Sequence, residues 1–378
     1  MKTKNKKYSK LIEINKINIK LKRKNHKVPN NKKKLVICNC SKKKKIIILC
    51  IISITLLIVL ISICLNYYLI KYNQKKENIF QLRINENIEE VKKKSYENNT
   101  FLILKRTDCR FCGLFSTYSV YLGCVIKYII KGYIPIVEVG SFSNIFNKFN
   151  KSSTRSTNPW ELLFDQPMGY TLDEVKKNAK NIVEKVCSPH NKHSPGPLVF
   201  FSQLYLDFFH KMYKRYMPIK KEIIDEANII RKKLFGNSKN ILGVLCRGTD
   251  YIREKAKGHA IPQTAEKTIE DVRKMDKKNK YDYFYLATED NNIRDKFIKE
   301  LGEKLKIYQN TNINYQHGYL GYNKNAQGIN YQKTYLISII ILSKCIDIIT
   351  SICGGVVGAY VFSEEGFRES IVYNLGTY

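Results

Sequence analysis

The sequence predicts an α/β protein of GT-B-like architecture: two Rossmann-like domains, preceded by a single transmembrane helix. Three observations predict it. Short apolar runs alternate with helix-length segments from about residue 100 to the end, the pattern of parallel sheets whose strands are buried on both faces. The folded part, roughly 300 residues, is large for one such core. Residues 46–65 read IIILCIISITLLIVLISICL, without a charge.

The apolar stretch comes first in the chain. At ~1.5 Å per residue it spans ~30 Å, the thickness of a hydrocarbon core. Lys42 to Lys45 abut its start, and Tyr67 and Tyr68 follow it at interface depth. The preceding 45 residues carry 18 Lys+Arg against one acid, Glu13, so +17 of the net +33 lies in this tail. The positive-inside rule then leaves residues 1–45 in the cytosol and residues 71–378 across the membrane. The stretch is too long and too far from the start for a cleaved signal peptide. The expected organisation is a basic tail (1–45), a signal anchor (46–68), a stem (69–98) and two domains (99–235 and 236–378).

The charge does not mark a nucleic-acid binder. Beyond the tail, Lys, Asn and Ile are spread over every segment, with no basic stripe on one element. The tail suits an anionic membrane leaflet. Seven cysteines lie beyond the anchor, at 109, 112, 124, 187, 246, 345 and 353. An oxidising compartment permits disulfides there, and an odd number leaves a thiol over. Cys109-x-x-Cys112 has no second ligand pair to complete a zinc site. Asn98-Asn99-Thr100 and Asn150-Lys151-Ser152 are glycosylation sequons if that side is lumenal.

In the first domain, residues 101–105 and 134–139 read as strands, with a helix over 116–131 between them. Residues 141–158 read as a surface loop, and 171–187 and 200–234 as helices. In the second, strands are expected at 240–246, 281–288, 305–308 and 346–350, with SIVYN (370–374) closing the chain. Helices are expected at 264–278, 291–301, 330–345 and 354–362.

Ligands in such folds sit at the carboxyl ends of strands. After 240–246 comes Arg247-Gly248-Thr249-Asp250, a guanidinium able to grip a phosphate beside a glycine that admits close approach. Asp250 can hold that arginine or a sugar hydroxyl. After 281–288 come Glu289 and Asp290, the latter also a natural helix cap. After 346–350 come Cys353, Gly354 and Gly355, opening a helix whose amides form an anion site. One cationic, one acidic and one amide-rich strand end are the parts that hold a nucleoside diphosphate. No P-loop and no GxGxxG following a strand is present, which disfavours ATPase and dehydrogenase chemistry.

These segments resemble a family. GVLCRGTDY (243–251), KGHAIPQ (257–263), YFYLATED (283–290), ILSKC (341–345) and CGGVVGA (353–359) are similar, in order, to the donor-binding half of the fucosyltransferase-like glycosyltransferases. That family includes α1,6-fucosyltransferases and bacterial capsule-type enzymes. In the first half, CGLFSTYSVYLG (112–123), GYIPIVEV (132–139) and NPWELLFDQPMGYTLDEV (158–175) resemble the bacterial-type members. The resemblance covers roughly residues 100–378. It implies a GT-B-like fold, a sugar nucleotide such as GDP-fucose as co-substrate, a glycan or glycoprotein acceptor, and inversion without a bound metal. It implies Arg247 on the donor β-phosphate, Asp290 at the nucleoside, and Cys353, Gly354 and Gly355 at the pyrophosphate. His259 matches a histidine twelve residues beyond the arginine. The sequence departs from the family pattern at Leu245, where fucosyltransferases often carry His, and at Cys353-Gly354-Gly355, usually Ser-rich.

Glu254 is the candidate base on this reading, or else a solvated loop residue. His259 binds the sugar or shapes its loop. Trp160, Glu161 and Gln166 face the acceptor, or in the case of Trp160 fill the core. The alternative to an enzyme is a catalytically degenerate, membrane-anchored module that binds glycan or nucleotide. The topology implied is that of a type II membrane protein with its catalytic domain in the Golgi or endoplasmic reticulum lumen.

Overall fold

A computed structural model describes residues 53–65, 67, 96–106, 113–139, 158–187, 203–248, 251–252, 255, 257–308 and 328–378. Residues 1–74 and 75–378 form two separate units. In the first, residues 53–65 are helical (α1), with Ile54 to Leu65 exposed on every face. Among the described residues no helix is long and apolar enough to cross a membrane, and residues 46–52 of the apolar stretch lie outside them. The basic tail, nearly all of the stem, the loop over 141–157 and the Cys109/Cys112 pair also lie outside.

The second unit contains two parallel sheets. The first is built from β1 (Thr100–Lys105), α2 (Leu114–Ile129), β2 (Ile134–Val137), α3 (Leu172–Asn178) and β3 (Asn181–Val186), in strand order β2-β1-β3. Two helices follow, α4 (Gln203–Tyr216) and α5 (Lys221–Phe235). The second sheet is built from β4 (Ile241–Leu245), α6 (Ala265–Asn279), β5 (Tyr283–Ala287), α7 (Asn291–Leu301), β6 (Leu305–Ile307), α8 (Ile329–Ser343), β7 (Asp347–Ser351), α9 (Gly354–Phe362) and β8 (Glu369–Tyr373). Its order is β6-β5-β4-β7-β8, with every pair parallel. The chain leaves β4 toward β5 and returns to its other side with β7, so the switch point lies between the ends of β4 and β7.

Two expected helices are corrected. The segment 171–187 is a short helix and then a strand. Thr171 and Glu174 form a reciprocal capping box that starts α3, but Ala179 turns extended and Asn181 to Val186 pair with β1. β3 is an edge strand with all six residues exposed, so the sequence shows no alternation to betray it. The segment 200–234 is broken at Pro218, where the Pro218 carbonyl instead accepts from Asp165 N–H at 2.9 Å.

One buried polar knot holds the far end of the second sheet. Asp347 is fully buried at the start of β7. Its carboxylate accepts from the Tyr281 hydroxyl, from the Arg368 guanidinium and from Glu369 N–H at 2.7 Å. Burial and the Asp347 carboxylate raise the Tyr281 pKa. Removing the carboxylate deprives all three donors of this acceptor. Asp347→Ala is expected to cost about 2–3 kcal/mol, read as a lower denaturation midpoint with unchanged slope.

Candidate anion-binding site

The carboxyl ends of β4, β5 and β7 bring several of the sequence-predicted residues together. Parallel register pairs Leu245 with Ala287, so Arg247 and Glu289, two residues further on, come side by side. Arg247 Nε lies 2.8 Å from Glu289 Oε1, with both side chains nearly buried. The guanidinium carbon is 5.0 Å from the Tyr251 ring centroid, and that ring is 5.1 Å from the His259 ring. Arg247, Tyr251 and His259 thus lie in contact one after another. His259 Nδ1 is buried without a hydrogen-bond partner.

Gly248 is required for close approach: a Cβ there would meet Asp290 Oδ2 at 2.3 Å. Asp290 itself caps α7, its Oδ1 accepting from Asn292 N–H (2.9 Å) and Ile293 N–H (3.2 Å). Its observed task is therefore the cap, and the acid beside Arg247 is Glu289. Glu289 was read as a strand end in the sequence, and equal offset from paired strands was the signal that could have set it beside Arg247.

At the end of β7, Cys353 is the N-cap residue of α9. Its buried thiol makes no capping hydrogen bond. Burial raises its pKa, opposed by Arg247 and by the amides of Val356 and Gly355. The first-turn amides of Gly354, Gly355 and Val356 have no intrahelical acceptor. Gly355 is pinned under the Tyr335 hydroxyl, which would lie 2.5 Å from a Cβ there. Tyr335 comes from α8 and stands close enough to Arg247, Cys353 and Glu289 for all three to act on its pKa, which burial raises most. Its hydroxyl was not foreseen in the sequence.

A second helix start meets the first. Gly354 lies against the opening turn of α2, 3.5 Å from the Ser116 amide nitrogen to a Cβ at 354. The N-cap of α2 is Gly113, which offers no side chain. Neither α2 nor α9 carries an acidic residue in its first turn. Behind them Arg106, 3% exposed at the end of β1, donates from Nη1 to the Ser116 carbonyl at 3.0 Å. Two partial positive helix ends and two buried guanidiniums around one crevice make an environment for an anion. Tyr335→Phe is expected to weaken binding of a nucleoside diphosphate on the order of tenfold while leaving the Tm of the free protein within a few degrees, measured by titration calorimetry on the full-length protein.

Of the acceptor-side candidates, Trp160 takes its core alternative, and Glu161 and Gln166 are hydrogen-bonded within the protein. Trp160 is fully buried, stacked on Phe164 with centroids 4.5 Å apart and packed beside Tyr118 and Tyr121. Gln166 pairs with the open edge of β2: its Oε1 accepts from Val137 N–H, and its Nε2 donates to Val137 O, both at 2.8 Å. Asn158 does the same beside it, accepting from Val139 N–H at 3.2 Å. Glu161 Oε1 accepts from Gln166 Nε2 at 2.8 Å and from Leu172 N–H at 2.9 Å. The N-x-W-E-x-x-F-x-Q-P segment is a corner that supplies the hydrogen bonds a missing strand would give. Glu254 and Asp250 lie outside the described residues. Among the described residues, no group of three or more His, Cys, Asp or Glu is arranged to hold a metal ion.

No protein-family model and no curated protein matches the chain. Solved structures do. The fucosyltransferase NodZ from Bradyrhizobium is 13% identical, with a TM-score of 0.42 over 74% of this chain and 96% of that one. Arabidopsis thaliana FUT1, solved with GDP, is 9% identical, with a TM-score of 0.40 over 77% of this chain and 74% of that one. POFUT1, solved with GDP-fucose, is 11% identical, with a TM-score of 0.33 over 72% of this chain and 74% of that one. At these scores the likeness carries no argument about chemistry, which has to come from the residues of the crevice.

Proposed function

We propose that the crevice holds the diphosphate of a nucleotide sugar, and that the protein is an inverting glycosyltransferase of GT-B-like fold. The observation that carries this is the meeting of two uncapped helix starts with Arg247 at the switch point of a parallel sheet. An acceptor hydroxyl attacks C1 of the sugar while the C1–oxygen bond to the diphosphate breaks. Negative charge then grows on the leaving phosphate. Arg247 and the amides of α9 are placed to stabilise it without rearrangement. On this reading the hydroxyl proton goes to a carboxylate near the sugar, Glu254 in our assignment. Catalysis then needs no metal. The sequence resemblance makes fucose from GDP-fucose the donor, and a glycan or glycoprotein the acceptor.

On the signal-anchor reading of residues 46–68, this chemistry takes place in a secretory lumen. Asn98 supports a test of that side: it is exposed in a turn just before β1. A glycan added there and removed by endoglycosidase marks the domain as lumenal.

The deciding experiment is a thermal-shift screen of the detergent-solubilised full-length protein against GDP, UDP, ADP and CMP, with and without EDTA. A ligand at ~100 times its dissociation constant stabilises by ~2.7 kcal/mol, enough to shift the melting temperature visibly. Stabilisation by GDP that survives EDTA supports the reading, and GDP-fucose hydrolysis or transfer is tested next. Stabilisation by another nucleotide keeps the reaction class and overturns the donor. No response to any of them removes the proposal.

A further inference from the structure

The segment that carries His259 lies outside the sheet, and a distant part of the chain sets its place. β8 ends at Tyr373. Asn374 Oδ1 then accepts from Gly376 N–H at 3.4 Å, and Gly376 sits at φ 89°, a left-handed turn that suits glycine. Beyond the turn, residues 376–378 run antiparallel against residues 258–261, with Ala260 opposite Thr377. Ile261 N–H donates to the Gly376 carbonyl at 2.9 Å, Tyr378 N–H to the His259 carbonyl at 3.1 Å, and Gly258 N–H to a backbone oxygen of Tyr378 at 3.2 Å. Further on, Gln263 N–H donates to Ser351 Oγ at the end of β7, at 2.8 Å.

The backbone of His259 is therefore tied on both sides, while its ring is not. Nδ1 is buried without a hydrogen-bond partner, so no polar contact holds that edge of the imidazole. The ring instead lies against Tyr251, with 37° between the two planes. Tyr251 is anchored by its own N–H, which donates to the Gly248 carbonyl at 3.1 Å. Its ring covers the face of the Arg247 guanidinium, and Glu289 meets Nε at the edge. A ring-on-ring contact is weak by itself. It persists where the two backbones that carry the rings are fixed, and for His259 that fixing comes from residues 376–378.

We propose that residues 376–378 are positioning residues for the crevice: their pairing with residues 258–261 holds His259 against Tyr251, and so keeps the Arg247 guanidinium turned toward its anion. The effect on binding rests on the diphosphate reading of the crevice; the chain of contacts from Tyr378 to Arg247 does not. A pairing this short opens locally without unfolding the sheet beside it. Tyr378→Pro opens it at one atom, since proline lacks the N–H that the His259 carbonyl accepts. Thr377→Ala keeps every backbone bond of the pairing and is the control.

The test uses the full-length protein in detergent. In Tyr378→Pro, the amides of Gly258 and Ile261 should exchange hydrogen faster, on the order of tenfold or more, and in Thr377→Ala at the parent rate. GDP should bind about three- to tenfold more weakly to Tyr378→Pro, with the melting temperature of the free protein little changed. In a His259→Ala background, Tyr378→Pro should add little to that loss, which a general loosening of the fold would not reproduce. Unchanged exchange, unchanged GDP affinity, or full additivity with His259→Ala each overturns the proposal. If the parent itself binds no nucleotide, the diphosphate reading fails, and labelling of Arg247 by phenylglyoxal decides the positioning role. More labelling in Tyr378→Pro than in Thr377→Ala supports it, and equal labelling overturns it. Should Tyr378→Pro not fold, a chain shortened to Leu375 takes its place. If that also fails while Thr377→Ala folds, residues 376–378 are a requirement of the fold and the positioning role is overturned.

Discussion

Arg247→Met is expected to remove nucleotide-dependent stabilisation and to lower turnover by about 100-fold or more. The size follows from the role proposed for the guanidinium: it is the cation at the end of β4, and in the proposed reaction the charge on the leaving phosphate would grow toward it. The same substitution also leaves Glu289, 6% exposed, as a buried carboxylate without its cation. Breaking a nearly buried pair from one side costs about 3–5 kcal/mol of stability. Loss of activity in Arg247→Met alone would therefore not separate a catalytic role from an unfolded sample. The double variant Arg247→Met/Glu289→Gln does. Neutralising both partners should recover most of the melting temperature and none of the nucleotide response. If the double variant regains binding of GDP, the arginine is only a counter-ion for Glu289, and the crevice holds its anion by helix amides alone. If Glu289→Gln by itself leaves binding intact, Glu289 serves to orient the arginine and touches no ligand.

Much of the second sheet was legible because its strands are buried on both faces, and such strands appear as largely apolar runs such as ILGVL and YFYLA. The residues that follow each run could then be read as strand ends, which is how Arg247, Gly248, Cys353, Gly354 and Gly355 were found. What stayed hidden has three physical causes. β3 is exposed on both faces, so nothing in its sequence alternates, and the well-formed capping box at Thr171 argued for a longer helix than the chain makes. Trp160, Glu161 and Gln166 looked functional because they are polar or aromatic residues in a dense motif. Gln166 bonds to backbone groups at the edge of β2, Glu161 bonds to Gln166 and to Leu172 N–H, and Trp160 packs among aromatic rings; these pairings depend on strand order and packing, which local sequence does not show. Glu289 and Tyr335 reach Arg247 from different elements, and only the register of β4 against β5 and the packing of α8 bring them there.

Gly358→Ala is expected to lower both stability and nucleotide affinity, although helix propensity alone argues the reverse. Alanine in the middle of a helix is better than glycine by about 0.8–1.0 kcal/mol. At this position the added Cβ would fall 2.2 Å from Phe115 Cε1 and 2.6 Å from Cδ1, so one of the two helices must move. The ring has little room to yield: Tyr335 packs on its edge with centroids 5.4 Å apart, and Phe362 lies at 5.8 Å. Forcing extra volume into such a contact costs about 1–3 kcal/mol, more than the propensity gain. The movement also has a direction. Phe115 belongs to the first turn of α2, the turn whose Ser116 amide faces the start of α9. Separating α2 from α9 opens the crevice between the two helix ends and weakens the field on a bound diphosphate. A tenfold or greater rise in the dissociation constant for the nucleotide is the expected order. Phe115→Leu should relieve the clash, so Gly358→Ala/Phe115→Leu is expected to be more stable than the sum of the single effects by about 1–3 kcal/mol. A double-mutant cycle on the full-length protein, read by denaturation and by nucleotide titration together, measures both couplings. Additive stabilities would show that α2 and α9 do not meet through this ring. Coupled stabilities with unchanged nucleotide affinity would show that the helices meet there but that the anion is held by α9 and Arg247 without the help of α2.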